Sequence, residues 1–383
     1  MDLSKAGEAV AAVKAGGLDG VVVADTALSE VDGEAGRLVI AGHDVEAIAG
    51  RASFEEVCAL LWRVGLGAPA DAVRPEAVRA AIAEGRVGAH ARLSELGDAL
   101  ASDDGSSALR AATAHLGLRG AAKKGEAPWI EFAHIAGALA VFAAAWARRG
   151  AGAAAIAPDP SLGQAADLLR MLRGEPGPEA AVRGLDTYLV TVADHGMNAS
   201  TFTARVVAST GSDTVSAVVA AIGALKGPLH GGAPGPVLDM LDGVGDPARA
   251  ASWIDEELSA GRRIMGMGHR IYRVRDPRAA VLEKAAGELE RAGVATRRLE
   301  LARAVERAAE AALASRHPDR PLKANVEFYT AVLLDAVGLS RTLFTPAFAV
   351  GRVAGWCAHI AEGRRVGRLV RPASRYVGPP PGA

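Results

Sequence analysis

Cysteine is nearly absent: the 383 residues hold two, Cys58 and Cys357, too few for a disulfide framework and without the paired spacing of a zinc cluster. They read as buried free thiols in a reducing compartment. Aromatic residues make up only 4%. Alanine fills many of the apolar positions, which favours close-packed helices over a strand-rich sheet. Neither sign of charge dominates, with 43 basic against 44 acidic residues and a net charge of -1, so no nucleic-acid or polyanion partner is expected. The apolar run at 132–146 is short for a bilayer and reads as a buried helix. The opening Met1-Asp2-Leu3-Ser4-Lys5 lacks the basic region and apolar stretch of a secretory signal, so a cytoplasmic protein without a membrane partner is expected. Also missing are an internal repeat, a dinucleotide-binding glycine fingerprint, a phosphate-binding Walker sequence and a His-Glu-x-x-His pair.

What the chain does have is helical periodicity. The least helical part is 16–50. There Gly20-Val21-Val22-Val23-Ala24 and Arg37-Leu38-Val39-Ile40 read as extended runs flanking the turn-forming Asp32-Gly33-Glu34-Ala35-Gly36, a small hairpin. Ser53 with Glu56 then forms a capping box for a helix carrying Val57, Leu60, Leu61 and Val64. Glycine, proline and polar breaks divide the rest into helices predicted over 131–148, 162–172, 179–194, 202–210, 233–242, 249–260, 277–291, 296–315, 325–337 and 346–362. Lys123-Lys124 reads as an exposed surface turn. The prediction is an all-α protein with one small N-terminal β hairpin.

Two turns carry the chemistry, Gly227-Pro228-Leu229-His230-Gly231-Gly232 and Gly266-Met267-Gly268-His269-Arg270. Glycine lets a ligand approach the backbone, and both turns precede helical patterns, whose N-termini favour negative charge. A third histidine, His195, ends a helical pattern, with Ser200 and Thr201 supplying caps for the next helix. Zinc remains open only if His195, His230 and His269 meet in space, and neither cysteine has the adjacent base that thiol catalysis needs. The remaining reading is acid/base work on an anionic substrate: His230 and His269 as donors or proton shuttles, Glu327 as carboxylate base, and Arg278, Arg352 and Arg371 as carboxylate clamps.

These residues lie in motifs that resemble the citrate synthase family, in its shorter bacterial and archaeal form, from about residue 18 onward. The resemblance rests on Gly17-Leu18-Asp19-Gly20-Val21, Asp32-Gly33 with Gly36-Arg37-Leu38, His195 with Asn198-Ala199-Ser200-Thr201-Phe202, and the two histidine turns. It continues through Asp276-Pro277-Arg278, Asn325-Val326-Glu327-Phe328-Tyr329, Leu343-Phe344-Thr345-Pro346, Arg352-Val353-Ala354-Gly355-Trp356, and Arg371-Pro372 before Tyr376-Val377-Gly378. It implies a mostly helical homodimer whose subunit has a large domain (1–219 and 325–383) and a small mobile domain (220–324). The implied reaction condenses acetyl-CoA with oxaloacetate and hydrolyses citryl-CoA, with no permanently bound cofactor and no metal. By the same resemblance Glu327 takes a methyl proton, His230 holds the thioester oxygen and His269 polarises the oxaloacetate carbonyl. His195, Arg278 and Arg352 hold the oxaloacetate carboxylates, joined by Arg371 from the partner subunit. CoA would lie on Ile264, Met265, Gly266, Met267 and Gly268, with Arg262, Arg270 and Lys323 facing its phosphates.

Three departures qualify that picture. Glu327 stands where the family usually has aspartate, which keeps the base and lengthens its reach. Pro234-Gly235-Pro236 replaces a frequent Asn-Glu after the first turn, and Ala373 stands where a second arginine is frequent, with Arg375 nearby. The alternatives are therefore a 2-methylcitrate synthase using propionyl-CoA, since one methylene is hard to exclude from an apolar pocket, and a catalytically silent dimeric interaction or regulatory homologue.

Overall fold

The computed structural model describes residues 17–18, 20–119, 125–231, 234–294, 297–319 and 322–379. The expectations placed on residues 1–5, Asp19, Lys123, Lys124, Gly232, Ala233 and Thr296 lie outside them. Among the described residues the helices are α1 (Val45–Ile48), α2 (Phe54–Leu66), α3 (Pro75–Ala91), α4 (Gly105–Ala114), α5 (Pro128–Gly150), α6 (Gln164–Arg173), α7 (Glu179–Thr191), α8 (Ala199–Ser209), α9 (Thr214–Leu225), α10 (Pro234–Val244), α11 (Ala250–Ser259), α12 (Pro277–Arg291), α13 (Arg297–Arg316), α14 (Val326–Ala336) and α15 (Phe344–Val366). The fold is mostly helical, as predicted. The Ser53–Glu56 capping box is present, with both reciprocal hydrogen bonds made.

The sheet differs from expectation. It has three antiparallel strands, β1 (Ser29–Asp32), β2 (Arg37–Ile40) and β3 (His43–Asp44). The partner of Arg37–Ile40 is thus Ser29–Asp32, in the register Ser29 to Ile40 and Asp32 to Arg37, and not the apolar run at 20–24. Pairing starts beside the turn, so the residues flanking Gly33–Gly36 take the places next to it. Val21, Val22 and Val23 are left exposed and outside the sheet.

The core explains the excess of alanine and shortage of aromatics. Helix α15 is buried on all sides from Ala349 to Glu362 and packs against α2, α5, α8 and α9. Close approach depends on glycine: a Cβ at Gly65 would lie 2.5 Å from the Ala358 carbonyl oxygen, and one at Gly137 would lie 2.2 Å from that of Ile82. Trp62 fills the α2–α15 seam and donates its indole N–H to the Ala354 carbonyl at 3.0 Å. Burying a side chain of that kind contributes roughly 2–3 kcal/mol from apolar area. Helix α5 corrects the reading that its apolar run is too short for a membrane. At 23 residues it is long enough to span one, but it is mostly buried against α3, α4, α6 and α15.

Candidate active site

The loop after Ile264 is fixed by backbone pairing. Gly268 N–H donates to the Lys323 carbonyl at 2.7 Å and Asn325 N–H to the Gly266 carbonyl at 3.0 Å, which lays 266–268 beside the start of α14. Gly266 and Gly268 both have positive φ, 73° and 87°. A Cβ at Gly266 would also lie 2.8 Å from the Phe328 ring, so both conformation and space require glycine. The expectation that His269 sits at a helix N-terminus fails, because α12 begins only at Pro277. Its ring instead caps its own turn: Nδ1 accepts the N–H of Ile271 at 3.0 Å and of Tyr272 at 3.1 Å. A neutral His269 therefore carries its proton on Nε2 and can donate it. His195, on the turn after α7, lies edge-on to it with ring centroids 5.8 Å apart, and its Nε2 meets the Tyr272 hydroxyl at 3.1 Å.

His230, between α9 and α10, is oriented by a side chain. Its Nε2 lies 2.9 Å from Ser200 Oγ, which accepts from Trp356 Nε1 at 3.0 Å and lies 2.8 Å from Asn198 Oδ1. The cap of α8 is Asn198, whose Oδ1 accepts the Thr201 N–H, so the reading of Ser200 as a cap is corrected. Trp356 can only donate, and the serine has one proton. Asn198 Oδ1 can only accept and competes for that proton; where it is directed to His230 instead, the imidazole N–H lies on Nδ1, free to donate. Ser200 is thus a positioning residue that sequence reasoning assigned to a different task.

The arginines are buried and held. Arg278 makes a two-pronged pair with Asp276, Nε to Oδ1 at 3.0 Å and Nη2 to Oδ2 at 2.7 Å, and Asp276 also accepts the Arg278 and Val326 N–H groups. Arg352 on α15 donates from Nε to the Val192 carbonyl at 2.5 Å, with its guanidinium 4.7 Å above the Phe348 ring. One cavity is lined by Tyr188, Val192, His230, Pro234, Glu327 and Phe348 among others, bringing the candidate base and the first histidine together. Burial and then Arg352 push the His230 pKa down to about 4. His269 also falls to about 4, through burial and Arg278. His195 is lowered by burial, Arg278 and Arg352, while burial raises Glu327 against the pull of Arg278. Three neutral donors, two guanidiniums and a strengthened carboxylate base therefore come together, a set suited to proton abstraction next to a carbonyl and to holding an anionic substrate. No group of three or more His, Cys, Asp or Glu among the described residues has the geometry to hold a metal ion.

The family model for the citrate synthase C-terminal domain matches residues 17–373. The chain belongs to the citrate synthase family. It is 40% identical to a putative citrate synthase 2 of Mycobacterium tuberculosis over 95% of this chain and 93% of that one. It is 38% identical to the citrate synthase of Haloferax volcanii (94% and 95% covered) and 38% identical to a 2-methylcitrate synthase of Mycobacterium tuberculosis (94% and 90% covered). Among solved structures it resembles the citrate synthase of Thermoplasma acidophilum in ternary complex with carboxymethyl coenzyme A and oxaloacetate, with a TM-score of 0.83 at 27% identity over 96% of both chains.

 

As a member of the citrate synthase family the protein is a carbon–carbon bond-forming acyltransferase.

Within the family fold, the structure gathers His195, His230, His269, Arg278, Arg352 and Glu327, but leaves Arg371 apart on the exposed tail. The candidate CoA segment is mixed: Ile264 is buried and Met265 exposed. Arg262 is held by both oxygens of Glu257 at 2.6 Å and Lys323 by Glu310 at 2.7 Å, while Arg270 is exposed. Sequence reasoning missed Tyr272, Asp276, Trp356 and Phe348. Asp276 and Trp356 stood inside motifs quoted for their neighbours, whereas Tyr272 and Phe348 carried no separate signal.

Proposed function

We propose that the chain is a citrate synthase that condenses acetyl-CoA with oxaloacetate and hydrolyses citryl-CoA to citrate and CoA. The observation that carries this reading is the raised Glu327 carboxyl sharing one cavity with His230, beside the neutral His269 and two buried arginines. Glu327 takes a proton from the acetyl methyl group, and its electron pair moves toward the thioester oxygen, where an N–H from His230 meets the developing charge. The enolate carbon attacks the oxaloacetate ketone, whose oxygen takes a hydrogen bond from His269 Nε2. A new carbon–carbon bond forms as the carbonyl π-bond opens to an alkoxide, which is protonated. Water then cleaves the thioester, releasing CoA. His195, Arg278 and Arg352 hold the two carboxylates. In this reading residues 220–324 move as a small domain over the substrates, and a second subunit brings Arg371 to the site.

A second reading, 2-methylcitrate synthesis from propionyl-CoA, is favoured by the 38% identity to a 2-methylcitrate synthase, close to that with the Haloferax enzyme. Thiol release measured with oxaloacetate and each acyl-CoA decides between them. Acetyl-CoA is expected to give the higher kcat/KM. A preference for propionyl-CoA selects the second reading, and no release with either overturns both.

A further inference from the structure

The Asp32-Gly33-Glu34-Ala35-Gly36 turn has no place in the reaction above, yet its tip is pressed onto the loop that carries His269. The Gly33 carbonyl accepts the Arg273 N–H at 2.9 Å. A Cβ at Gly33 would lie 2.4 Å from the Ile271 carbonyl oxygen, and one at Gly36 would lie 2.5 Å from Val274 Cγ2. The touched stretch is the one whose Ile271 and Tyr272 N–H groups hold the His269 ring and whose Tyr272 hydroxyl meets His195. The same hairpin reaches the His195 turn, where a Cβ at Gly196 would lie 3.6 Å from Val31 and 3.7 Å from Ser29. Just before the hairpin, Ala27 N–H donates to Glu362 on α15 at 2.9 Å.

We propose that the β1–β2 hairpin is a brace for the oxo-acid half of the site, with Gly33 and Gly36 as positioning residues that set the His269 loop against His195. The turn's own hydrogen bonds do not depend on these glycines, since Asp32 Oδ1 takes the N–H groups of Glu34 and Ala35. Gly33 does not have positive φ, so alanine there meets Ile271 without backbone strain of its own. Gly36, at φ 64°, meets both strain and contact.

The kinetic part of the test rests on the function proposed above. Gly33→Ala should raise the KM for oxaloacetate on the order of tenfold while the KM for acyl-CoA changes less than about twofold, because a small displacement of a polarising group is costly in rate and binding. Gly36→Ala should do the same, and adding Val274→Ala should restore the part of the loss that comes from the methyl group it strikes, leaving the strain of the positive φ. Ala35→Ser, at the exposed tip, serves as the control. An unchanged oxaloacetate KM in Gly33→Ala, or no recovery in the double variant, overturns the brace. A wild-type chain that turns over neither acyl-CoA defeats the functional reading instead. The brace is then judged by imidazole NMR: Gly33→Ala must shift the His269 resonances and leave those of His230 in place, and unmoved His269 resonances overturn it.

Discussion

The two histidine turns look alike in sequence and are held in different ways. His269 is oriented by two backbone N–H groups of its own loop, while His230 is oriented by one serine hydroxyl from α8, itself tied to Trp356 on α15. A backbone-held ring depends on where its loop lies; a side-chain-held ring depends on one hydroxyl of one neighbour. The first is vulnerable to added bulk beneath the loop, the second to loss of a single oxygen.

The largest expected effects separate the two rings by the step each serves. His230→Ala and His269→Ala should each lower kcat by about 10²–10³-fold, the usual loss on removing a donor to a developing oxyanion. Exchange of the acetyl-CoA methyl protons with deuterated solvent discriminates further. It should be lost in His230→Ala and persist in His269→Ala, because in the proposed mechanism only the first ring meets the enolate oxygen. Equal exchange in both variants would remove the division of labour.

A smaller effect tests how His230 is held. Ser200→Ala deletes the oxygen that fixes its Nε2 and leaves the buried Trp356 N–H unpaired, so kcat should fall about tenfold, as expected for roughly 1.4 kcal/mol of lost orientation. Ser200→Thr, which keeps the hydroxyl, should recover most of the rate. If Ser200→Ala is as active as the wild type, the tautomer argument fails.

Much of this was legible in the sequence, for physical reasons. Periodicity and capping residues located the helices, since Ser53 and Glu56 act within one turn. Glycine spacing marked both histidine turns because a missing side chain is visible in sequence whatever the fold. Long-range pairing was harder to read: the hairpin's strand was misplaced, since β propensity favoured Val21–Val23 while the turn selected Ser29–Asp32. Ser200 was misread because the same hydroxyl can cap a helix or bond a histidine 30 residues away, and only packing decides. The pairing of Arg262 with Glu257 and of Lys323 with Glu310 carries no mark in the sequence, because the fold sets those partners.

The smallest effect is a shift that should not occur. Both rings are held down to about pH 4 by burial and neighbouring guanidiniums, so each stays neutral on either kind of support. Glu327 moves the other way, above the usual carboxylate range. A base works only when ionised, so kcat/KM should fall as the pH drops through the raised Glu327 pKa, before either histidine gains a proton. Imidazole resonances of His230 and His269 should therefore stay constant between about pH 5.5 and 8, while kcat/KM declines on the acid side as Glu327 takes up its proton. A titration of either ring near about 6.5 would mean that its turn is hydrated, and would place the weakness in that turn's support.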